Sequence, residues 1–99
     1  MFAVIRESNY DPDKLRQGQA QMEEFRALQE RQPGYAGSVV VDAGNGRTLS
    51  VTLWESEAQQ QAASTVLRPE ADRLFAPMYA APRQVIAQGP VLRNDLVKS

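Results

Sequence analysis

From Arg47 to Glu55 apolar and polar residues alternate, with Leu49, Val51 and Leu53 on one side of an extended chain and Ser50, Thr52 and Trp54 on the other. This pattern predicts a strand over Arg47–Glu55. A strand over Tyr35–Asp42 precedes it. Between them, Ala43-Gly44-Asn45-Gly46 supplies the Gly and Asn that hairpin loops need for positive φ. Phe2–Ser8 is rich in strand formers and reads as the first strand, ended by Asn9-Tyr10-Asp11-Pro12. Gln84–Gln88 reads as the fourth. Gly89-Pro90 is expected to break or bulge it, with Val91-Leu92-Arg93 continuing beyond, and the tail Asn94–Ser99 is expected to be loose.

The period changes between the first two strands. Leu15, Met22, Phe25 and Leu28 fall on one face of a helix predicted from Pro12 to Arg31. Asp11 is its N-cap, Pro12 takes the first helical position, and Gln32-Pro33-Gly34 stops it. Gly18 lies on the same stripe, either as a tolerated interruption or to let the sheet or a ligand approach. Ser56, with Gln59 at the capping-box spacing, starts a second helix at Glu57, which carries Ala58, Ala62, Ala63, Val66 and Leu67. Pro69 is expected to end that helix, and a new short turn carries Leu74, Phe75 and Met78.

The order β-α-β-β-α-β predicts an α+β, ferredoxin-like fold as a single domain over 1–99: a four-stranded antiparallel sheet with the helices on one face. The strands resist a simple division into a buried and a solvated face. Phe2 and Val4 alternate with Ala3 and Ile5, Val39 and Val41 with Val40, and Leu49, Val51 and Leu53 oppose a Trp. Apolar residues on both faces imply that the second face is also covered, and a second copy of the chain about a two-fold axis is the simplest cover.

Composition narrows the chemistry. The net charge of the 99 residues is -1, with no Lys/Arg run, so the footprint of a nucleic-acid binder is absent. No apolar stretch has membrane-spanning length. The chain contains no Cys, which removes disulfides, thiolate nucleophiles and Cys metal sites and suits a reducing cytoplasm. It contains no His either, and its acids are scattered, so neither a Zn or Fe site nor a His-dependent catalytic set can be assembled. Gly44-Asn45-Gly46 is a hairpin turn and not a phosphate loop.

Pro33-Gly34-Tyr35-Ala36-Gly37, the hairpin, and then Leu53-Trp54-Glu55-Ser56-Glu57-Ala58 resemble the antibiotic biosynthesis monooxygenase-like family of dimeric α/β-barrel proteins. The resemblance implies a homodimer whose two sheets form a barrel and a pocket in each subunit between sheet and helices. It also implies a C-terminal segment, here Gly89-Pro90-Val91-Leu92, that reaches across the dimer. It implies as ligand a small hydrophobic or aromatic molecule, oxidised with O2 without a cofactor in the catalytic members; haem-degrading enzymes also belong to the family. Many relatives carry a His on the second helix, where this chain reads Gln61-Ala62-Ala63-Ser64. That difference excludes histidine ligation of haem and leaves a non-catalytic binding or accessory dimer as the alternative.

Four residues carry the candidate chemistry. Trp54 is either a wall on which a flat ligand stacks, or whose indole N–H orients an oxygen, or a large residue packed in the core or the dimer barrel. Tyr35 and Tyr79 either donate a phenolic proton to a bound quinol or each satisfy one internal hydrogen bond. Arg6, on the side of Phe2 and Val4, either stabilises a phenolate or enolate oxygen or pairs with an acid such as Glu55 or Asp42. Tyr10 is expected at a rim, Arg83 near a pocket mouth, and Glu7 and Glu55 are solvated unless they serve as bases.

Overall fold

The computed structural model describes residues 1–96. Strand β1 (Phe2–Tyr10) lies inside a sheet of order β2-β3-β1-β4, with β2 at Tyr35–Gly44, β3 at Arg47–Trp54 and β4 at Tyr79–Pro90. All three pairings are antiparallel, as predicted for the ferredoxin-like arrangement. Helices α1 (Pro12–Gln17), α2 (Gln19–Glu30) and α3 (Glu57–Phe75) complete the fold, with a short 3-10 turn at Ala76–Met78.

The caps follow the sequence. The Asp11 carboxylate accepts from the amides of Asp13 at 3.0 Å and Lys14 at 3.1 Å. The Ser56 hydroxyl accepts from the Gln59 amide at 3.2 Å and donates to its side-chain oxygen at 3.0 Å. In the hairpin, Asn45 and its flanking Gly44 and Gly46 all take positive φ. Gly46 has a second constraint: its carbonyl accepts the Tyr10 amide at 2.8 Å, and a Cβ there would lie 2.0 Å from the Tyr10 carbonyl oxygen.

β2 runs two residues past Asp42 to Gly44 and β3 stops at Trp54, and four further departures from the sequence reading have a reason in the packing. β1 continues through Asn9 and Tyr10, because the hairpin carbonyl and β4 both offer partners there, and Tyr10 is buried at 6% exposure instead of sitting at a rim. The first helix divides at Gly18, which stands against Met78: a Cβ would lie 2.1 Å from the Met78 sulfur. The close approach is therefore to the turn after α3, not to the sheet or a ligand. α3 runs unbroken through Pro69. The proline removes only a bond to the Thr65 carbonyl on the exposed side, while Ala63, Leu67, Ala71 and Leu74 form a continuous buried stripe across it. β4 begins at Tyr79 and runs through Gly89-Pro90 without a break, since an edge strand can accept Pro82 and Pro90 on its unpaired side. Its irregularities instead occur opposite Ile5/Arg6, Glu7/Asn9 and Asn9/Tyr10. Val91 adds one bond, to the Met1 carbonyl at 2.8 Å, and the strand does not extend through Leu92 and Arg93.

The core has two parts. Phe2, Val4, Trp54, Ala63 and Leu67 pack with Phe25 and Leu28. Tyr10, Ala71, Leu74, Phe75 and Met78 pack with Leu15, Met22 and Phe25. The stripe predicted on the first helix thus serves both. Along the helix-facing side of β1 the order is Phe2, Val4, then Arg6, Ser8, then Tyr10. Polar residues occupy the interval between the two apolar clusters.

Candidate functional site

That interval opens into a cavity of about 880 Å³ between the sheet and the helices. β1 contributes Arg6 and Ser8 to its floor, and β3 contributes Thr48, Ser50, Thr52 and Trp54. The register explains the grouping, because Arg6 pairs with Ser50 and with Val85 of β4, and Val4 pairs with Thr52. Ser38, Val40 and Asp42 of β2 extend the same face, and Arg83 and Val85 of β4 close the other side. α3 lays Gln60, Ser64, Leu67, Arg68 and Asp72 over it, and Met22 and Phe25 of α2 complete the apolar wall. The sheet face that meets the helices is therefore the one bearing Ser50, Thr52 and Trp54. Leu49, Val51 and Leu53 lie on the opposite face.

Three of the four candidate residues meet in this cavity. Trp54 lines it while itself only 3% exposed, and its indole N–H has no hydrogen-bond partner in the protein. The Tyr79 hydroxyl, also in the lining, is likewise buried and unpartnered. Its ring stacks on Tyr10 at 5.2 Å between centroids. The two hydroxyls affect each other's ionisation but do not reach hydrogen-bond geometry. A buried donor without a partner costs about 1–3 kcal/mol, so two of them, opposite Phe2 at one end of β1 and Tyr10 at the other, are a distinctive feature.

Arg6 is half-buried and pairs with neither Glu55 nor Asp42; among the described residues it has no ion pair. Burial, followed by the positive charges of Arg83 and Arg68, lowers its pKa to about 10, so it remains a cation at neutral pH. Tyr79 moves the other way. Burial pushes its phenol up to about 12; Arg83 opposes this, while Tyr10 and Asp72 reinforce it. Burial also raises Tyr10. Both phenols are proton donors over the whole neutral range.

Tyr35 does not line the cavity. It stands edge-on to Trp54 at 5.8 Å, and its hydroxyl bonds the Ser38 hydroxyl at 3.0 Å. Glu7 is occupied by Arg47, whose guanidinium holds the carboxyl below its ordinary pKa. Arg83 lies in the lining and is partly buried. The sequence reading did not single out Arg68, Asp72 or the hydroxyl row Ser8, Ser50 and Thr52. The row was visible as the polar half of the strand alternation. Arg68 was obscured by the expected helix stop at Pro69, which removed the helical frame that points it inward.

A four-stranded antiparallel sheet of order β2-β3-β1-β4 with helices on one face defines a ferredoxin-like α+β fold. No family model and no curated protein sequence matches the chain. Solved structures do match in fold. A protein of unknown function from Nitrosomonas europaea superposes with a TM-score of 0.80 at 13% identity, over 99% of this chain and 95% of that one. A candidate antibiotic biosynthesis monooxygenase from Bordetella bronchiseptica gives 0.74 at 19% identity, over 93% and 97%. SnoaB from Streptomyces nogalater, a cofactor-independent oxygenase, gives 0.72 at 12% identity, over 97% of each chain. The chain thus has the fold of antibiotic biosynthesis monooxygenase-like proteins, the fold that the resemblance at Pro33–Ala58 implied. Among the described residues no helix is long and apolar enough to cross a membrane.

Proposed function

We propose that this protein is a homodimer that binds a flat aromatic molecule between sheet and helices and oxidises it with O2 without a cofactor. The observation that carries the reading is the open cavity, with Trp54 and Tyr79 presenting unpartnered donors in its lining and Arg6 in its floor. A pocket filled by side chains would have favoured the non-catalytic alternative. Its volume lies within the range of small-molecule sites. The cysteine-free sequence fits a cytoplasmic setting.

The chemistry suits a chain without His. Arg6 favours the phenolate of a bound phenol, whose proton passes to water at the mouth. The phenolate transfers one electron to O2, and the resulting radical and superoxide combine to form a carbon–oxygen bond. Loss of water from the peroxide leaves a quinone carbonyl: one oxygen atom stays in the product, the other departs as water, and the substrate supplies all the electrons. Tyr79, held protonated, hydrogen-bonds the ring oxygen. Trp54 is the stacking wall, and Tyr35 positions it.

Oxygen uptake with a panel of anthrols and quinols tests this directly. Turnover above the spontaneous rate is expected, and it should fall about 10–100-fold in Arg6→Gln. Uptake no faster than the spontaneous rate across the panel, with tight binding retained, would establish the binding-module alternative. The missing histidine is the one observation favouring that alternative.

A further inference from the structure

Arg6 is not the only cation without a partner in the cavity. Four arginines line it, and Arg26 is already engaged by Glu23 and Glu30 on its own helix. Arg6, Arg68 and Arg83 remain, one each from β1, α3 and β4, and none forms an ion pair among the described residues. Arg68 reaches only the Ser64 hydroxyl, at 3.4 Å. None of the three lining acids pairs with them: Glu23 is held by Arg26, Asp42 accepts the Gly44 amide at 2.9 Å, and Asp72 makes no ion pair among the described residues despite lying one helical turn from Arg68.

Like charges from three elements around one half-buried guanidinium raise the energy of the unliganded protein. A single developing phenolate does not require three cations. Arginine is also the side chain best matched to planar, two-oxygen anions. We infer that the ligand carries a permanent carboxylate in addition to its aromatic body, and that Arg6, Arg68 and Arg83 anchor it while the ring lies against Trp54. The inference rests on the aromatic-ligand reading and specifies its substrate class: an aromatic acid. It also assigns a specificity role to Arg68, on the helix that covers the cavity.

The test uses binding and needs no turnover. Trp54 is the only tryptophan, so its fluorescence reports occupancy of the cavity. The probes are naphthoate, the neutral naphthamide of the same shape, and naphthyl phosphate. Naphthoate is expected to bind at least about tenfold more tightly than naphthamide, with an advantage that shrinks as salt rises. The double variant Arg68→Gln/Arg83→Gln should reduce that preference to about twofold or less, and Arg68→Lys/Arg83→Lys should retain part of it. Far-ultraviolet circular dichroism of each variant verifies the fold.

Equal affinity for acid and amide in the native protein overturns the carboxylate anchor and leaves the aromatic cavity standing. A preference unchanged in the double glutamine variant overturns the assignment to these arginines. Naphthyl phosphate binding more than tenfold tighter than naphthoate replaces the carboxylate with a phosphate ester. Binding of none of the three defeats both this inference and the aromatic-ligand reading beneath it.

Discussion

At the scale of single residues, the cavity is built from side chains that the unliganded protein holds at a cost. Arg6 is the clearest. Its folded-state pKa of about 10 lies below the unfolded value, so folding disfavours its charged form. The stability tied to a neutral Arg6 is present above its unfolded pKa and lost as pH falls through about 10. At neutral pH the full penalty stands. Arg6→Met is therefore expected to stabilise the protein by about 1–3 kcal/mol in denaturant unfolding at pH 7. The gap from the native protein should narrow as pH rises above about 10. A less stable Arg6→Met would mean that the guanidinium is compensated by contacts the structure does not contain. Tyr79 has the opposite sign. Its raised pKa contributes stability that is complete below pH 10 and lost as pH rises through about 12. Absorbance titration should show the Tyr79 and Tyr10 phenolates forming later than free tyrosine. Removing the orphaned hydroxyl with Tyr79→Phe should leave stability equal or higher, because no internal hydrogen bond is broken.

At the scale of elements, the sequence was most legible where one local rule acted alone. The caps at Asp11 and Ser56, the hairpin at Gly44-Asn45-Gly46 and the alternation of β3 each express a single preference, and all appear as read. The reading failed where tertiary packing outweighed such a preference. Pro69 marks a helix end by local rules, yet the buried stripe on α3 continues across it and the helix persists. Because Pro69 faces solvent, Pro69→Ala should restore the bond to the Thr65 carbonyl and raise stability by about 1–3 kcal/mol, read from the melting transition. Gly18 is the converse. Alanine is the better helix former, but its methyl would collide with the Met78 sulfur and approach the Lys14 carbonyl to 3.1 Å. Gly18→Ala is thus expected to destabilise by about 1–2 kcal/mol, and the loss should shrink in a Met78→Ala background. An additive double mutant would rule out that contact as the reason for the glycine. Of the residues that line the cavity, the sequence pointed to Arg6, Trp54 and Tyr79. The helical cover was not legible, because Arg68 and Asp72 lie on either side of the proline expected to end α3.

At the scale of the molecule, the two faces of the sheet exchange the roles that polarity alone would suggest. The helix-facing side carries Arg6, Ser8, Ser50 and Thr52 because it floors a cavity. The outward side carries Ile5, Leu49, Val51, Val39 and Val41, and in a single chain Val39 is 44% and Val41 51% exposed. Ile86 on the edge strand is 54% exposed, and beyond it Leu92 stands fully in solvent. A contiguous apolar sheet face on a small domain marks an interaction surface. The neighbouring register pairs Val39 with Val51 and Val41 with Leu49, which makes the patch continuous across strands. In the homodimer proposed above, a second copy of the same face would supply the complementary surface about a two-fold axis, and Leu92 would reach the partner. The native chain is therefore expected to sediment as a dimer at micromolar concentration. Val39→Lys/Val41→Lys should sediment as a monomer while keeping its circular dichroism, since both side chains are solvated in the isolated subunit and lie off the cavity. A native chain that sediments as a monomer would leave the apolar face without this partner. A dimer that survives both lysines would place the interface elsewhere.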